Sequence, residues 1–153
     1  MKALVVYDSV FGNTEKIAQA MAQALGSEAV RVPSVTPQSL AGVTLLIVGS
    51  PTRAFRATPA TMAWLKALPG NALTGVKVAA FDTRLSAEES GSGVLKLMVK
   101  VFGYAAKPIL GALQKKGGQA VATDEGFYVN ASEGPLRDGE LERAAAWAAK
   151  LAA

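Results

Sequence analysis

Continuous apolar runs alternate with helical patterns along the whole chain. The runs are short and almost free of polar positions, which is typical of strands that are buried on both faces of a sheet. Four such strands are predicted, at 3–7, 29–32, 43–48 and 76–81. A fifth strand is predicted in two pieces that a short polar segment separates, at 119–122 and 127–129.

Between the strands, apolar residues recur at every third or fourth position, which is the spacing of one face of a helix. Helices are predicted at 15–25, 60–68, 94–103, 105–117 and 138–151, with a single further turn between 33 and 40. Strands and helices that alternate in this way predict an α/β fold in which helices cover both faces of a parallel sheet. The length and the absence of a linker predict a single domain over residues 1–153.

The chain contains neither cysteine nor histidine. Their absence excludes disulfides, thiol redox chemistry and metal sites that are built on either side chain. It also excludes the Ser-His-Asp and Cys-His systems of nucleophilic catalysis. Any redox chemistry of this protein must therefore be carried by a bound cofactor.

The formal net charge of +4 fits either ordinary solubility or attraction to acidic partners. No nucleic-acid partner is expected, because RNP-type and Cys/His motifs are absent and the longest basic run is the pair Lys115–Lys116. No apolar run reaches about 18 residues, so integral membrane association is not expected either. The N-terminal residues enter the first strand without a signal-peptide pattern, which indicates a cytoplasmic protein.

The loop from Asp8 to Thr14 leaves the carboxyl end of the first strand and opens a helix, and ligands of open parallel sheets bind at such ends. A helix N-terminus offers unpaired N–H groups and a partial positive charge, which suit a phosphate. Ser9 and Thr14 add hydroxyl groups, and Gly12 permits a tight turn. The loop therefore predicts a phosphate cradle without a formal positive charge; the alternative is a plain helix cap by Asn13 or Thr14.

Two segments, YDSVFGNTEKIA at 7–18 and VGSPTRAFRATP at 48–59, resemble flavodoxins, especially modules whose first loop reads S-x-x-G-N-T. The resemblance covers nearly the whole chain, because the length and the element order also fit a short-chain flavodoxin. It implies a flavodoxin-like fold: a doubly wound five-stranded parallel sheet in the order 2-1-3-4-5, with helices on both faces.

The resemblance also implies FMN as the cofactor, bound at the carboxyl ends of the strands with its phosphate in the first loop. The residues that it places around FMN are Ser9, Val10, Phe11, Gly12, Asn13 and Thr14 at the phosphate, Ser50, Pro51, Thr52, Arg53 and Phe55 beside the ring system, and Asp82, Thr83 and Arg84 on the other side of the ring system. No catalytic residue and no metal ligand is assigned.

The aromatic content of the predicted site departs from the flavodoxin pattern, in which aromatic side chains enclose the flavin. The second loop supplies only Phe55, which is either a flavin contact or an ordinary packed residue. The third loop has no aromatic residue, and Leu85 is its only large apolar candidate; Phe11 and Tyr104 are less favoured as ring partners. Stacking contributes on the order of 1 kcal/mol per face, so weaker flavin binding is predicted.

The charge of the predicted site also departs from the acidic surroundings that are usual in flavodoxins. Arg53, Arg56 and Arg84 lie in the two ring-side loops. An arginine close to the flavin favours an anion on the ring, so we predict a hydroquinone that forms more readily than in an acidic flavodoxin. The alternatives are solvated surface charges or contacts to a second anionic ligand, such as the phosphate of a nicotinamide nucleotide.

The segment 94–104 is too uniformly apolar for a freely exposed helix. It is either part of the core, a lid over the site, a membrane-associated face or the interface of a homodimer. The adjacent carboxylates Glu88 and Glu89 are interpreted as a solvated face rather than as a metal pair, because no further ligand accompanies them.

The leading interpretation is an FMN-binding, flavodoxin-like electron-transfer protein that serves redox partner proteins of acidic character. One alternative is a flavin or quinone reductase that takes hydride from NAD(P)H. The other is a flavodoxin fold without flavin that serves as a binding module. Binding of FMN and oxidation of NAD(P)H by the loaded protein distinguish the three.

Overall fold

The computed structural model describes residues 1–86 and 93–153. The pair Glu88 and Glu89 lies outside the described residues. The strands are β1 Ala3–Tyr7, β2 Glu28–Arg31, β3 Leu45–Pro51, β4 Lys77–Arg84, β5 Gln119–Ala120 and β6 Glu125–Tyr128. The helices are α1 Asn13–Leu25, α2 Pro37–Leu40, α3 Pro59–Ala67, α4 Gly93–Phe102, α5 Ala106–Lys115 and α6 Glu140–Ala152, with a 3₁₀ turn at Val32–Ser34.

The strands form one parallel sheet in the order β2-β1-β3-β4-β5, which confirms the predicted fold. The predicted interruption of the last strand is present, because β5 and β6 are separate segments that both pair with β4. Strand β5 pairs with the start of β4 at Lys77 and Val78, and β6 pairs with its end from Phe81 to Arg84. Six strand segments therefore occupy five positions in the sheet.

Two apolar cores lie on opposite faces of the sheet. On one face, α1 and α6 cover the strands, and Ile17 and Met21 of α1 are fully buried there. On the other face, α3 and α5 cover them, with Ile109 and Leu113 of α5 fully buried. This double cover explains why the central strands are apolar at consecutive positions.

Gly49 ends the apolar part of β3 at the point where the second loop begins. A Cβ atom there would lie 2.1 Å from Cζ of Phe81 on the neighbouring strand, so no larger residue fits without a shift of that ring. The Phe81 ring packs edge-on against Phe127 of β6 at 6.0 Å between centroids. These contacts fix the carboxyl ends of β3, β4 and β6 next to one another.

Helix α4 presents a large exposed apolar face, in which Val94, Leu97, Val101 and Phe102 are each more than half exposed. The interpretation of these four side chains as core is therefore wrong. Phe102 contacts the second loop through Phe55, at 5.8 Å between ring centroids. No helix in residues 1–86 or 93–153 is both long and apolar enough to span a membrane.

Candidate functional site

A cavity of about 420 Å³ opens at the carboxyl ends of β1, β3 and β4. This volume is in the range of about 300–1,000 Å³ that is usual for small-molecule sites. Three loops that are distant in sequence meet around it, as expected for a parallel sheet. The predicted site residues in its wall are Ser9, Val10, Phe11, Asn13, Thr14, Pro51, Thr52, Arg53, Phe55, Thr83 and Arg84.

The N-terminus of α1 forms one side of the cavity, and its N-cap residue is a glycine, which has no side chain that could cap the helix. Gly12 occupies the N-cap position with φ of 92°, a left-handed conformation that favours glycine. Asn13 and Thr14 are the first residues of the helix, so the alternative that either of them caps it is wrong. The first N–H groups of a helix lack intrahelical acceptors. Here Ser9 Oγ accepts the Glu15 N–H, which leaves the N–H groups of Asn13 and Thr14 for a ligand.

The polar side chains of this loop are held in place by contacts inside the protein. Ser9 Oγ accepts hydrogen bonds from the backbone N–H groups of Gly12 at 3.1 Å and Glu15 at 3.4 Å. Thr14 Oγ1 lies 2.8 Å from Thr83 Oγ1, and Asn13 Nδ2 donates to the carbonyl of Glu133 at 3.1 Å. These contacts fix the conformation of the loop from within the protein.

Arg31 lies behind this loop and was not found from the sequence. Its Nη1 donates to the carbonyl of Ser9 at 2.9 Å, and it pairs with Asp8 at 3.4 Å and with Glu15 at 4.0 Å. A formal positive charge is thus present, but the two carboxylates outweigh it. Arg31 is 22 positions from Ser9 in the sequence, and no local motif indicates that the two residues are in contact.

Asp8 and Ser50 support the site from behind. Asp8 Oδ2 accepts a hydrogen bond from Thr58 Oγ1 at 2.5 Å, which ties the first loop to the start of α3. Ser50 is fully buried, and its Oγ accepts from the Thr58 N–H at 3.0 Å and donates to the Pro51 carbonyl at 2.9 Å. The structure therefore places Ser50, a predicted site residue, behind the cavity wall rather than on it.

The second loop makes a strained turn between Arg53 and Arg56. Their backbone groups exchange hydrogen bonds of 2.7 and 3.0 Å, and the two central residues, Ala54 and Phe55, have φ of 48° and 66°. Residues other than glycine rarely adopt this conformation, which costs on the order of 1–3 kcal/mol each and is concentrated at functional sites. The turn places Phe55 in the cavity wall.

Aromatic side chains reach the cavity from three different elements. Phe55 comes from the second loop, Phe11 from the first, and Tyr104 from the connection between α4 and α5. Phe11 is 47% exposed, and Arg53 lies over its ring at 5.3 Å from the centroid. The structure thus brings Phe11 and Tyr104, the two less favoured ring partners, to the same cavity as Phe55, and nothing local in the sequence indicates that Tyr104 returns to it.

The loop after the last strand also contributes to the cavity and was missed from the sequence. Val129, Ser132 and Glu133 are part of the wall. The contact that brings this loop close, from Asn13 to Glu133, joins residues 120 positions apart. Its small and polar composition at the carboxyl end of a strand is the signal that could have found it.

Asp82 and Arg84 form a buried ion pair at the end of β4. Arg84 donates to both carboxylate oxygens, at 2.6 and 2.7 Å, and the Ala106 N–H donates to Oδ2 at 2.9 Å. Burial raises the pKa of Asp82, and the bonds from Arg84 and Ala106 oppose this rise. Burial lowers the pKa of Arg84, but the Asp82 carboxylate outweighs burial and raises it. Asp82 is fully buried behind the wall, whereas Arg84 reaches it.

The three arginines that were predicted near the ring system differ in their surroundings. The charge of Arg84 is balanced by Asp82. Arg53 lines the cavity without a carboxylate partner among the described residues. Arg56 is exposed and does not belong to the cavity wall. Within residues 1–86 and 93–153, no cluster of three or more His, Cys, Asp or Glu side chains could hold a metal ion.

The sequence model of the Flavodoxin domain family matches residues 4–116, which is most of the chain. The chain therefore belongs to the flavodoxin domain family. No curated protein sequence is significantly similar to it.

Solved structures of low sequence identity share the fold. Oxidised Flavodoxin 1 from Bacillus cereus superimposes with a TM-score of 0.76 at 20% identity, over 99% of this chain and 97% of that one. A WrbA-like flavodoxin protein from Agrobacterium tumefaciens gives a TM-score of 0.72 at 18% identity, over 99% and 94% of the two chains. The flavodiiron protein from Giardia intestinalis gives 0.69 at 20% identity, where 98% of this chain covers 35% of that one.

Proposed function

We propose that the cavity binds FMN and that the protein transfers electrons. The observation that carries the proposal is the N-terminus of α1, whose first residues Asn13 and Thr14 line a cavity with aromatic walls. Residues 9–14 contain hydroxyl and N–H groups and no carboxylate, which is the chemistry that a phosphate needs. The residues present therefore fit a flavin that carries one phosphate.

Within this proposal, the protein binds and orients the cofactor, and FMN supplies one- and two-electron chemistry when bound. Ser9, Asn13 and Thr14 hold the phosphate with the helix N–H groups. Phe55 on one side and Thr83 and Arg84 of β4 on the other enclose the ring system and exclude water from it. No side chain of the described residues is assigned as an acid, a base or a nucleophile.

The electrostatic part of the proposal concerns Arg53. It lines the cavity without a carboxylate partner in the described part of the chain, so it favours negative charge on a bound ring. We therefore propose that the anionic hydroquinone forms more readily than in flavodoxins with an acidic site. A midpoint potential for the reduction of semiquinone to hydroquinone as low as in those proteins contradicts this part.

The partners that we propose are acidic redox proteins, because the chain carries +4 and exposed Arg53, Arg56, Lys96 and Lys100 lie in the second loop and on α4. The exposed face of α4 also remains the proposed interface of a homodimer. Sedimentation in dilute solution tests the homodimer, and a strictly monomeric species excludes it. The rate of electron transfer to an acidic acceptor should fall with ionic strength.

A titration of the apoprotein with FMN, followed by flavin fluorescence, tests the proposed function. We expect saturable binding at micromolar affinity or better, and at least about tenfold weaker binding by Ser9→Asp, because its carboxylate repels the phosphate. Gln23→Glu is the matched control, since it adds the same charge to an exposed position near the other end of α1. Absence of binding at high micromolar FMN contradicts the proposal, and steady NAD(P)H oxidation by the loaded protein alone favours a reductase.

A further inference from the structure

The connection between α4 and α5 carries Tyr104 to the cavity and is held there by hydrogen bonds on its backbone. The Ala105 N–H donates to Thr52 Oγ1 of the second loop at 3.1 Å. The Ala106 N–H donates to Asp82 Oδ2 of β4 at 2.9 Å. Tyr104 is therefore the residue immediately before two anchored positions, and it borders the same cavity as both loops.

The side chain of Tyr104 rests on Arg84. The guanidinium carbon lies 3.7 Å from the centroid of the tyrosine ring, which is a close cation–π contact. The two hydrogen bonds to Asp82 fix the plane of the guanidinium, so the ring lies on a flat group that cannot turn freely.

Gly126 on β6 provides the space for this arrangement. A Cβ atom at this position would lie 2.1 Å from Arg84 Nε and 2.2 Å from Cζ. The guanidinium is thus enclosed by Asp82, the Tyr104 ring and the backbone of Gly126. Its side chain is only 12% exposed, and the Asp82 side chain is not exposed at all.

We propose that Tyr104 is an aromatic wall for the ring system of FMN, and that Arg84 and Asp82 are positioning residues that hold the tyrosine ring in place. This inference rests on the proposed binding of FMN. It accounts for two features of the site together. The sequence has no aromatic residue between Asp82 and Gly93, and Arg84 at the end of β4 is bonded to a carboxylate instead of remaining a free charge beside the flavin.

The test uses three variants and one control in the full chain. Tyr104→Leu removes the ring and leaves the ion pair. Asp82→Asn combined with Arg84→Met removes both buried charges but keeps an acceptor for the Ala106 N–H, which protects folding. Arg143→Met is the matched control, because Arg143 also pairs with a carboxylate, Glu140, and lies 4.4 Å from the Phe127 centroid, away from the cavity wall. The single variant Arg84→Lys keeps the positive charge but loses the planar guanidinium that donates to both oxygens of Asp82.

FMN affinity and the visible circular dichroism of bound FMN are the two measurements. We expect Tyr104→Leu to bind FMN about tenfold more weakly, with an altered dichroism spectrum. The double variant and Arg84→Lys should change the spectrum in the same direction with a smaller loss of affinity. Arg143→Met should match the wild-type protein in both measurements, even if it melts at a lower temperature. Wild-type affinity and spectrum in both Tyr104→Leu and the double variant overturn the inference.

A measurement on the apoprotein separates this inference from the proposed function. In proton NMR, the side-chain protons of Arg84 should be shifted upfield by the Tyr104 ring, and Tyr104→Leu should abolish the shift. If wild-type protein binds no FMN while this shift is present, the proposed function fails and the role of Tyr104 as a flavin wall fails with it, but the positioning of Tyr104 by Arg84 stands. If FMN binds and the shift is absent, the positioning role is overturned.

Discussion

Two clusters, each made of an arginine, a carboxylate and an aromatic ring, lie next to Gly126 of β6: Arg84 lies against its Cα, and Arg143 donates to its carbonyl. They serve different ends. In one, Arg84 pairs with Asp82 and lies under Tyr104 at the cavity. In the other, Arg143 pairs with Glu140 and lies against Phe127, whose ring is fully buried in the core below α6. The difference lies in the aromatic ring, because the Tyr104 ring borders open space and the Phe127 ring does not.

This comparison shows that an arginine, a carboxylate and an aromatic ring do not by themselves define a function. The cluster around Arg143 joins α6 to β6, since Glu140 also accepts the Tyr128 N–H at 2.7 Å. The cluster around Arg84 joins β4 to the start of α5, through the Ala106 N–H. Each cluster stabilises a junction of the fold, and only the cluster around Arg84 also forms part of the cavity wall.

The largest effect is expected from Gly126→Val, because it acts on the position between the clusters. Its Cβ would overlap the guanidinium of Arg84 and break the bonds to Asp82, which leaves a buried charge unpaired. We expect a loss of about 3–5 kcal/mol in the free energy of unfolding, measured by urea denaturation. Gly111→Ala is the control. A Cβ atom at position 111 of α5 meets nothing within 4 Å, and alanine is more favourable than glycine inside a helix, so the variant should be more stable by about 0.5–1 kcal/mol. Similar effects of the two variants contradict the close contact at Gly126.

The next largest effect is the difference in stability between variants that lack Arg84 and variants that lack Arg143. Arg84→Met should destabilise the protein by about 3 kcal/mol, because it leaves the fully buried Asp82 carboxylate without its arginine partner. Arg143→Met should cost about 1 kcal/mol, because the Arg143 side chain is 38% exposed and solvent screens its pairs. Chemical denaturation of both variants measures the difference. Equal losses mean that the exposure of the arginine side chain, 12% for Arg84 and 38% for Arg143, does not distinguish the clusters.

A smaller effect depends on pH and involves Glu140. Burial would raise the pKa of Glu140, but the bonds from Arg143 and from the Tyr128 N–H outweigh burial and lower it. Ionised Glu140 therefore adds stability above its unfolded pKa, and this stability is lost as the pH falls through the lower native pKa. Glu140→Gln should cost about 1 kcal/mol at pH 7, and the difference from wild type should shrink below about pH 4.5. A difference that stays constant from pH 7 to pH 3 contradicts this account.

The smallest effect concerns the unpaired arginine. In FMN-loaded protein, Arg53→Gln should lower the midpoint potential for reduction of semiquinone to hydroquinone by about 20–40 mV, because it removes a partly screened positive charge from the cavity wall. Arg143→Gln is the control and should leave the potential unchanged. Spectroelectrochemical titration measures both, and a potential that rises in Arg53→Gln reverses the proposed role of the charge.

The parts of the fold that depend on local pattern could be predicted from the sequence. The continuous apolar runs indicated the parallel strands, and the gap between 122 and 127 indicated a divided last strand. The start of α1 at Asn13 instead of Glu15 was missed, because it depends on the left-handed backbone of Gly12. Such a conformation is permitted by glycine but is not required by it.

The parts of the site that depend on distant contacts could not be predicted. The loop that was proposed to hold phosphate does form one side of a cavity, and its residues follow one another in sequence. Arg31, Tyr104 and Glu133 reach the site from separate elements, and no residue spacing encodes that approach. The ion pair between Arg84 and Asp82 was also missed. The two residues are two positions apart on one strand, and nothing in the sequence indicates that the Arg84 side chain folds back onto the Asp82 carboxylate.

The central claim is that the N-terminus of α1 holds the phosphate of a flavin. The most direct measurement compares the affinities of the wild-type apoprotein for FMN and for riboflavin, which differ only in that phosphate. Charge-assisted hydrogen bonds from the loop predict that FMN binds at least about 100-fold more tightly. Equal affinities would show that the loop does not recognise the phosphate, and the account of the cavity as an FMN site would then be contradicted.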